Sequence, residues 1–278
     1  LGDVYKRQTY GAGGMIEIVT TDTLSQAAGE MGERTRFLAG GTLVMRAVNY
    51  ADPRIRRVVR TRERLDDIRA DGSRVVLGAG VTMAAIMASQ ELAFLAPAAR
   101  SVGGPAIRNM ATVGGNLAAP HPYGDMAVAL LALDGEALMA DGSTQPVSQF
   151  IANRQGLVRA VSILRPTGDE FRFRKVSRVK PKGVSVISMA AHMNRSAGRL
   201  SQVRVAYGGM GPDPVRVPHV ERALEGASLD LAGIQPALAV ACEGLSPPDD
   251  ALASGWYRRE VAPVHLRRLL LGEERRAP

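Results

Sequence analysis

Ile107-Arg108-Asn109-Met110-Ala111-Thr112-Val113-Gly114-Gly115-Asn116-Leu117 is the stretch on which the fold reading turns. Binding a dinucleotide requires several backbone N–H groups close to a pyrophosphate, where side chains would obstruct the approach. Glycine permits it, and successive N–H groups in a turn form an anion nest. Gly114 and Gly115 lie between Thr112 and Asn116, so a hydroxyl and an amide flank them. Ala39-Gly40-Gly41-Thr42 repeats the device earlier, where a strand expected over residues 36–39 hands over to a helix expected over 43–48. A Gly-Gly pair after a strand is by itself an ordinary turn, so neither stretch decides alone. No Gly-x-Gly-x-x-Gly fingerprint and no Gly-Lys-Ser/Thr phosphate loop occurs, which leaves the usual nicotinamide and nucleotide-hydrolysing folds unsupported.

Outward from these turns the pattern is strand, helix, strand. Residues 15–19 read as a strand, Thr21, Asp22 and Thr23 as candidate caps for a helix over 24–31, and 36–39 as the returning strand. A second unit opens with the apolar run 74–79, Thr82 as a cap, and a helix over 97–102. Residues 103–125, rich in Gly, Pro and Asn, are too long and too short of periodic apolar positions to be one regular element, and long ordered loops of this kind are often functional. A buried helix over 125–133 and strands over 137–140 and 157–164, the last ended by Pro166, complete the unit. From Phe171 the pattern changes. Phe171-Arg172-Phe173-Arg174 alternates with period two, and residues 184–193 and 200–207 read as paired strands around 195–198. Helices over 219–225, 231–243 and 255–271 follow, the last with Leu266, Leu269 and Leu270 on one face.

The chain has 278 residues and is 46% hydrophobic, enough for one or two cores, and its length favours two domains. Aromatic residues are 4% against 30 Gly and 16 Pro, which predicts an aliphatic interior with many tight turns. The longest apolar stretch, near residues 126–133, falls short of the roughly 20 residues that span a bilayer, so no membrane span is expected. The single cysteine, Cys242, excludes an internal disulfide and any cluster or zinc site built from several thiolates, which fits a reducing cytoplasm. The net charge of +8 concentrates at residues 172–182 and 258–276. Such a surface is either a solvated face or a site for an anionic cofactor, nucleic acid or an acidic partner. Without a zinc finger, an RNA-binding signature or a stacking surface, nucleic acid is disfavoured. Asp3-Val4-Tyr5-Lys6-Arg7-Gln8 back-translates as GAT GTG TAT AAG AGA CAG, which looks like a transposon end used in sequencing libraries. Residues 1–14 are therefore read as a non-native or disordered extension, with the natural chain expected to begin near Met15.

Leu38-Ala39-Gly40-Gly41-Thr42 and the opening stretch closely resemble the two FAD-binding segments of the molybdenum hydroxylase flavoproteins, the medium subunits of the xanthine and carbon monoxide dehydrogenase family. Residues 125–134, Phe173-Arg174-Lys175-Val176-Ser177-Arg178, Ala206-Tyr207-Gly208-Gly209-Met210 and Tyr257-Arg258-Arg259 resemble the same family, so the likeness runs over residues 15–271. The resemblance implies an α+β protein. An FAD-binding domain of two α/β subdomains, of the PCMH or vanillyl-alcohol-oxidase-like kind, would cover 15–168, divided near 70. A C-terminal domain with a three-stranded antiparallel sheet and helices would cover 169–274. It implies FAD as cofactor, a small iron–sulfur subunit and a large molybdopterin subunit as partners, and a dimer of heterotrimers. Electrons would pass from the clusters through FAD to a terminal acceptor.

Carried over by position, the cofactor-binding candidates are Phe37, Leu38, Ala39, Gly40, Gly41, Thr42, Leu43 and Val44 at the first turn. Val102, Thr112, Val113, Gly114, Gly115 and Asn116 stand at the second, with Asp125 for the cofactor's polar chain, Ala160 and Lys175. Asp125 has a second reading as a helix cap, and Lys175 as a solvated residue of a basic strand. His121-Pro122-Tyr123-Gly124 departs from the small residues and Ser-Pro usual in the family, and Leu43 stands where Asp or Ser is common. Tyr123 could shield the flavin ring or simply pack. No catalytic acid or base and no metal ligand is assigned, because the flavin carries the redox chemistry. A free-standing FAD-dependent oxidase or reductase, and a non-enzymatic nucleotide-binding module, are the alternatives.

Overall fold

The computed structural model describes residues 16–179 and 183–273. The extension read over 1–14 lies outside them, as do Met15 and part of each basic stretch.

The first unit runs β1 (Glu17–Thr21), α1 (Leu24–Gly29), β2 (Thr35–Phe37), α2 (Val44–Asn49) and β3 (Arg57–Thr61), and its strands form a parallel sheet in the order β1-β3-β2. Of the three candidate caps, Thr23 starts α1. Its side chain accepts from Gln26 N, while the Gln26 side chain accepts from Thr23 N, a capping box that satisfies two otherwise orphaned donors. Leu24 and Ala27 point from α1 into the core.

The second unit contains β4 (Ile68–Asp71), β5 (Arg74–Gly78), α3 (Met83–Ala88), α4 (Ala96–Ser101), α5 (Pro105–Met110), α6 (Val113–Leu117), α7 (Asp125–Ala132), β6 (Glu136–Met139), β7 (Thr144–Pro146), α8 (Val147–Asn153) and β8 (Val158–Leu164). Its sheet has the order β4-β5-β8-β6-β7, with neighbours antiparallel. The stretch 103–125 holds two short helices rather than only loop. Pro105 opens α5 at a position that needs no N–H, and Thr112 caps α6, but six and five residues are too few to show a helical period. All eight residues of α7 are buried, so it is apolar all round.

In the C-terminal part, β9 (Phe171–Ser177), β10 (Ser185–Ser196), β11 (Arg199–Gly208) and β12 (Val215–Arg216) form an antiparallel sheet in the order β12-β11-β10-β9. The sheet has four strands where three were expected. β12 contributes only two residues, paired as Tyr207 with Val215 and Ala206 with Arg216, directly after Pro212 and Pro214; a strand that short carries no alternation. α9 (Pro218–Leu224), α10 (Leu231–Ala239) and α11 (Gly255–Leu271) follow, with Leu266, Leu269 and Leu270 buried together. Alternation divides the sheet between two cores. Phe171, Ala190 and Ala206 join the core around α7, whereas Ile187, Met189, Ala191, Val205 and Tyr207 face α9, α10 and α11. Gly208 allows this layering, since a Cβ there would stand 2.8 Å from Val128 on α7.

Candidate functional site

The first glycine turn begins where the parallel sheet ends. Leu38 N makes the last sheet bond, to Val59 O at 2.7 Å. Beyond it, among the described residues, no protein acceptor takes the N–H groups of Ala39, Gly40, Gly41, Thr42 or Leu43, until Met45 N returns to Gly41 O at 2.9 Å. Gly41 sits at φ +73, a left-handed conformation that costs an L-residue about 1–2 kcal/mol. Leu43 stands at the N-cap of α2 without a side-chain cap bond. The result is a row of free donors at the head of a helix, the arrangement that receives phosphate. A Cβ on Gly40 would overlap the Met110 carbonyl oxygen, so the turn lies directly on the end of α5.

The second turn is closed on itself. Val113 N donates to Val81 O and Gly114 N to Ala79 O, both at 2.9 Å, Gly115 N to Thr112 Oγ1 at 3.1 Å and Asn116 N to Thr112 O at 2.8 Å. A Cβ on Gly114 would come within 2.8 Å of Ala79 Cβ, and one on Gly115 within 3.8 Å of Ala39 Cβ. Gly114 thus lets α6 lie against the segment after β5, and Gly115 faces Ala39 where the two turns meet. The first turn holds a row of N–H groups without a protein acceptor among the described residues, whereas those of residues 113–116 are bonded within the chain and the second turn forms a wall behind the first. Ala160 is buried on β8, opposite Gly78.

Asn116 connects this wall to α7, its Oδ1 accepting from Met126 N at 2.9 Å. Gly124, at φ +104, is the N-cap of α7, and Asp125 turns its carboxylate away from the helix end. Asp125 Oδ1 accepts from Ser185 Oγ at 2.5 Å, and Oδ2 from Lys175 Nζ at 2.9 Å and Ser101 Oγ at 3.2 Å. Lys175 Nζ also donates to Ser101 O at 2.7 Å. Asp125 is 7% exposed and the Lys175 side chain 13%, so the first is not a cap and the second is not a solvated strand residue. Val102 is buried beside this cluster. Ser101 and Ser185 carried no sequence signal; isolated serines become visible only when the fold brings α4, α7, β9 and β10 together.

The loop from Ala118 to Gly124 makes contacts that sequence reasoning left open. Arg46 Nη1 on α2 donates to Tyr123 Oη at 2.9 Å, with the guanidinium 5.6 Å from the ring centroid. His121 Nε2 lies 2.9 Å from Asp250 Oδ2. Burial pushes the Asp250 carboxyl up, but hydrogen bonds from His121 and from Arg258 outweigh it and hold the group well below the usual carboxylate range. Two shallow cavities of about 280 and 330 Å³ lie on the C-terminal part, and neither is lined by a residue of the glycine turns. Among the described residues there is no cluster of three or more His, Cys, Asp or Glu suited to a metal, and no helix long and apolar enough to cross a membrane.

A free donor row in a glycine cradle fits the pyrophosphate of a dinucleotide, and the comparisons with known proteins agree with that chemistry. Residues 14–163 match the family described as the FAD binding domain in molybdopterin dehydrogenase, and residues 172–272 the CO dehydrogenase flavoprotein C-terminal domain. The chain is 27% identical to the glyceraldehyde dehydrogenase medium chain of Sulfolobus acidocaldarius over 60% of this chain and 63% of that one. It is 28% identical to the carbon monoxide dehydrogenase medium chain of Afipia carboxidovorans over 89% of this chain and 92% of that one. Its fold matches a chain of reconstituted CO dehydrogenase from Oligotropha carboxidovorans with a TM-score of 0.83 at 24% identity, covering 92% of this chain and 96% of that one. This chain therefore belongs to the FAD-binding flavoproteins of the molybdopterin dehydrogenase family.

Proposed function

We propose that the chain is the electron-transfer subunit of a molybdenum hydroxylase in the cytoplasm, working with a small iron–sulfur subunit and a large molybdopterin subunit in a dimer of heterotrimers. FAD, when bound, supplies the redox step between the partner's clusters and a terminal acceptor. The chain's own residues bind and orient it. The observation that carries this reading is the row of free N–H groups from Ala39 to Leu43 seated against the second turn. In this reading that row takes the pyrophosphate, with Phe37, Leu38 and Val44 around it. Thr112, Val113, Gly114, Gly115, Asn116 and Ala160 form the wall, and Val102, Asp125 and Lys175 fix the junction with the C-terminal domain. Residues 15–168 and 169–274 are the two working domains, with the first divided near residue 70.

Co-expression with the neighbouring reading frames tests the assignment. Those frames are expected to encode a small cysteine-rich protein and a large molybdopterin protein, and a yellow three-chain complex is expected to elute together. A yellow chain that never associates with them would support the free-standing oxidase or reductase instead.

A further inference from the structure

The loop between the second glycine turn and Asp125 is tied to three parts of the molecule at once. Tyr123 holds Arg46 of α2 by a hydrogen bond and by its ring face. His121 holds Asp250 of the C-terminal part. Gly124 abuts Pro214, where a Cβ would stand 3.6 Å from the ring, and Tyr123 N donates to Pro120 O at 2.9 Å within the loop.

The two anchors are unequal. Asp250 is immobilised: both its oxygens accept from Arg258 Nη2 at 2.9 Å, and Oδ1 also accepts from Leu252 N and Ala253 N. Arg258 is fully buried, with Nε on Val186 O at 3.0 Å and Nη1 on Ala253 O at 2.9 Å and on Pro248 O. By contrast α2 buries none of its residues completely and has no side-chain cap, so packing alone holds it weakly. Yet α2 is the helix that leaves the open glycine turn, and a donor row is pre-organised only if the helix behind it is fixed.

We propose that His121 and Tyr123 form a strap that fixes α2, and with it the donor row, to the rigid Asp250–Arg258 anchor, making both positioning residues for cofactor retention. The proposal rests on the first turn being the pyrophosphate seat.

The test is release of FAD from the loaded full-length chain, followed by recovery of flavin fluorescence, together with the melting temperature of the FAD-free chain. His121→Ala and Tyr123→Phe are each expected to speed release about three- to tenfold, the loss of one hydrogen bond, with the FAD-free melting temperature little changed. His121→Gln, which keeps an N–H donor for Asp250, is expected to restore most of the retention. Unchanged release in both variants would overturn the strap. So would faster release matched by an equal fall in FAD-free stability, because the residues would then be merely structural. A wild-type chain that takes up no FAD would overturn the seat itself, and the strap with it.

Discussion

The two glycine turns have similar compositions and opposite hydrogen-bond accounts. In Ala39-Gly40-Gly41-Thr42 glycine keeps the backbone bare, and its N–H groups find no protein acceptor among the described residues. In Thr112-Val113-Gly114-Gly115-Asn116 the glycines permit close packing, and the N–H groups of Val113 through Asn116 are satisfied within the chain. The first turn is therefore poised for a ligand and the second for stability. The residues of the first turn are exposed or half-buried, so its N–H groups stand where a ligand can reach them. Changes at the second turn and the cluster it leads to are expected to appear as lost stability with or without FAD, and changes at the first as altered affinity.

The largest expected effect lies in the cluster beyond the second turn. Lys175→Ala would leave the Asp125 carboxylate buried without its cation, and breaking a buried pair costs about 3–5 kcal/mol. Denaturant unfolding of the FAD-free variant checks this. The double variant Asp125→Asn, Lys175→Met is expected to recover part of the loss, because no uncompensated charge remains. Gly114→Val comes next. Its side chain would meet Ala79 and is expected to cost about 1–3 kcal/mol of overpacking strain, read as a lower melting temperature without FAD. If that variant kept full stability and lost only FAD affinity, the division between the turns would be wrong.

A smaller effect comes from pH. Burial, assisted by the nearby Arg204 charge, lowers the pKa of His192 on β10, against the opposing pull of Glu170 and Asp134. A group whose folded pKa is depressed contributes stability above its unfolded pKa, about 6.5 for histidine, that is lost as pH falls toward the folded value. Stability is thus expected to decline below about pH 6.5 with and without FAD, and His192→Gln to flatten that slope. A slope found only in the FAD-loaded protein would attach His192 to the site instead.

Much of the architecture could be read from local signals. Thr23, one of three candidate caps, announced α1, the period-two alternation announced β9, and α11 spans residues 255–271 as its apolar face predicted. The glycine pairs marked the two turns that the fold brings together. What sequence could not convey was non-local. Whether Gly114 N is free depends on Ala79 O, supplied by the end of another strand, and the role of Asp125 depends on Ser101 and Ser185 from two other elements. His121 and Tyr123 stood out as departures, but their partners Asp250 and Arg46 lie in separate units of the fold. β12 was missed because two residues carry no period.

Amide hydrogen exchange of the full-length chain, with and without saturating FAD, tests the central claim most directly. The amides of Ala39 through Leu43 are expected to exchange rapidly alone and to become protected by FAD, while those of Gly114, Gly115 and Asn116 are slow in both states. Protection by FAD confined to residues 114–116, with the Ala39 to Leu43 amides unaffected, would contradict the assignment of the first turn as the pyrophosphate seat.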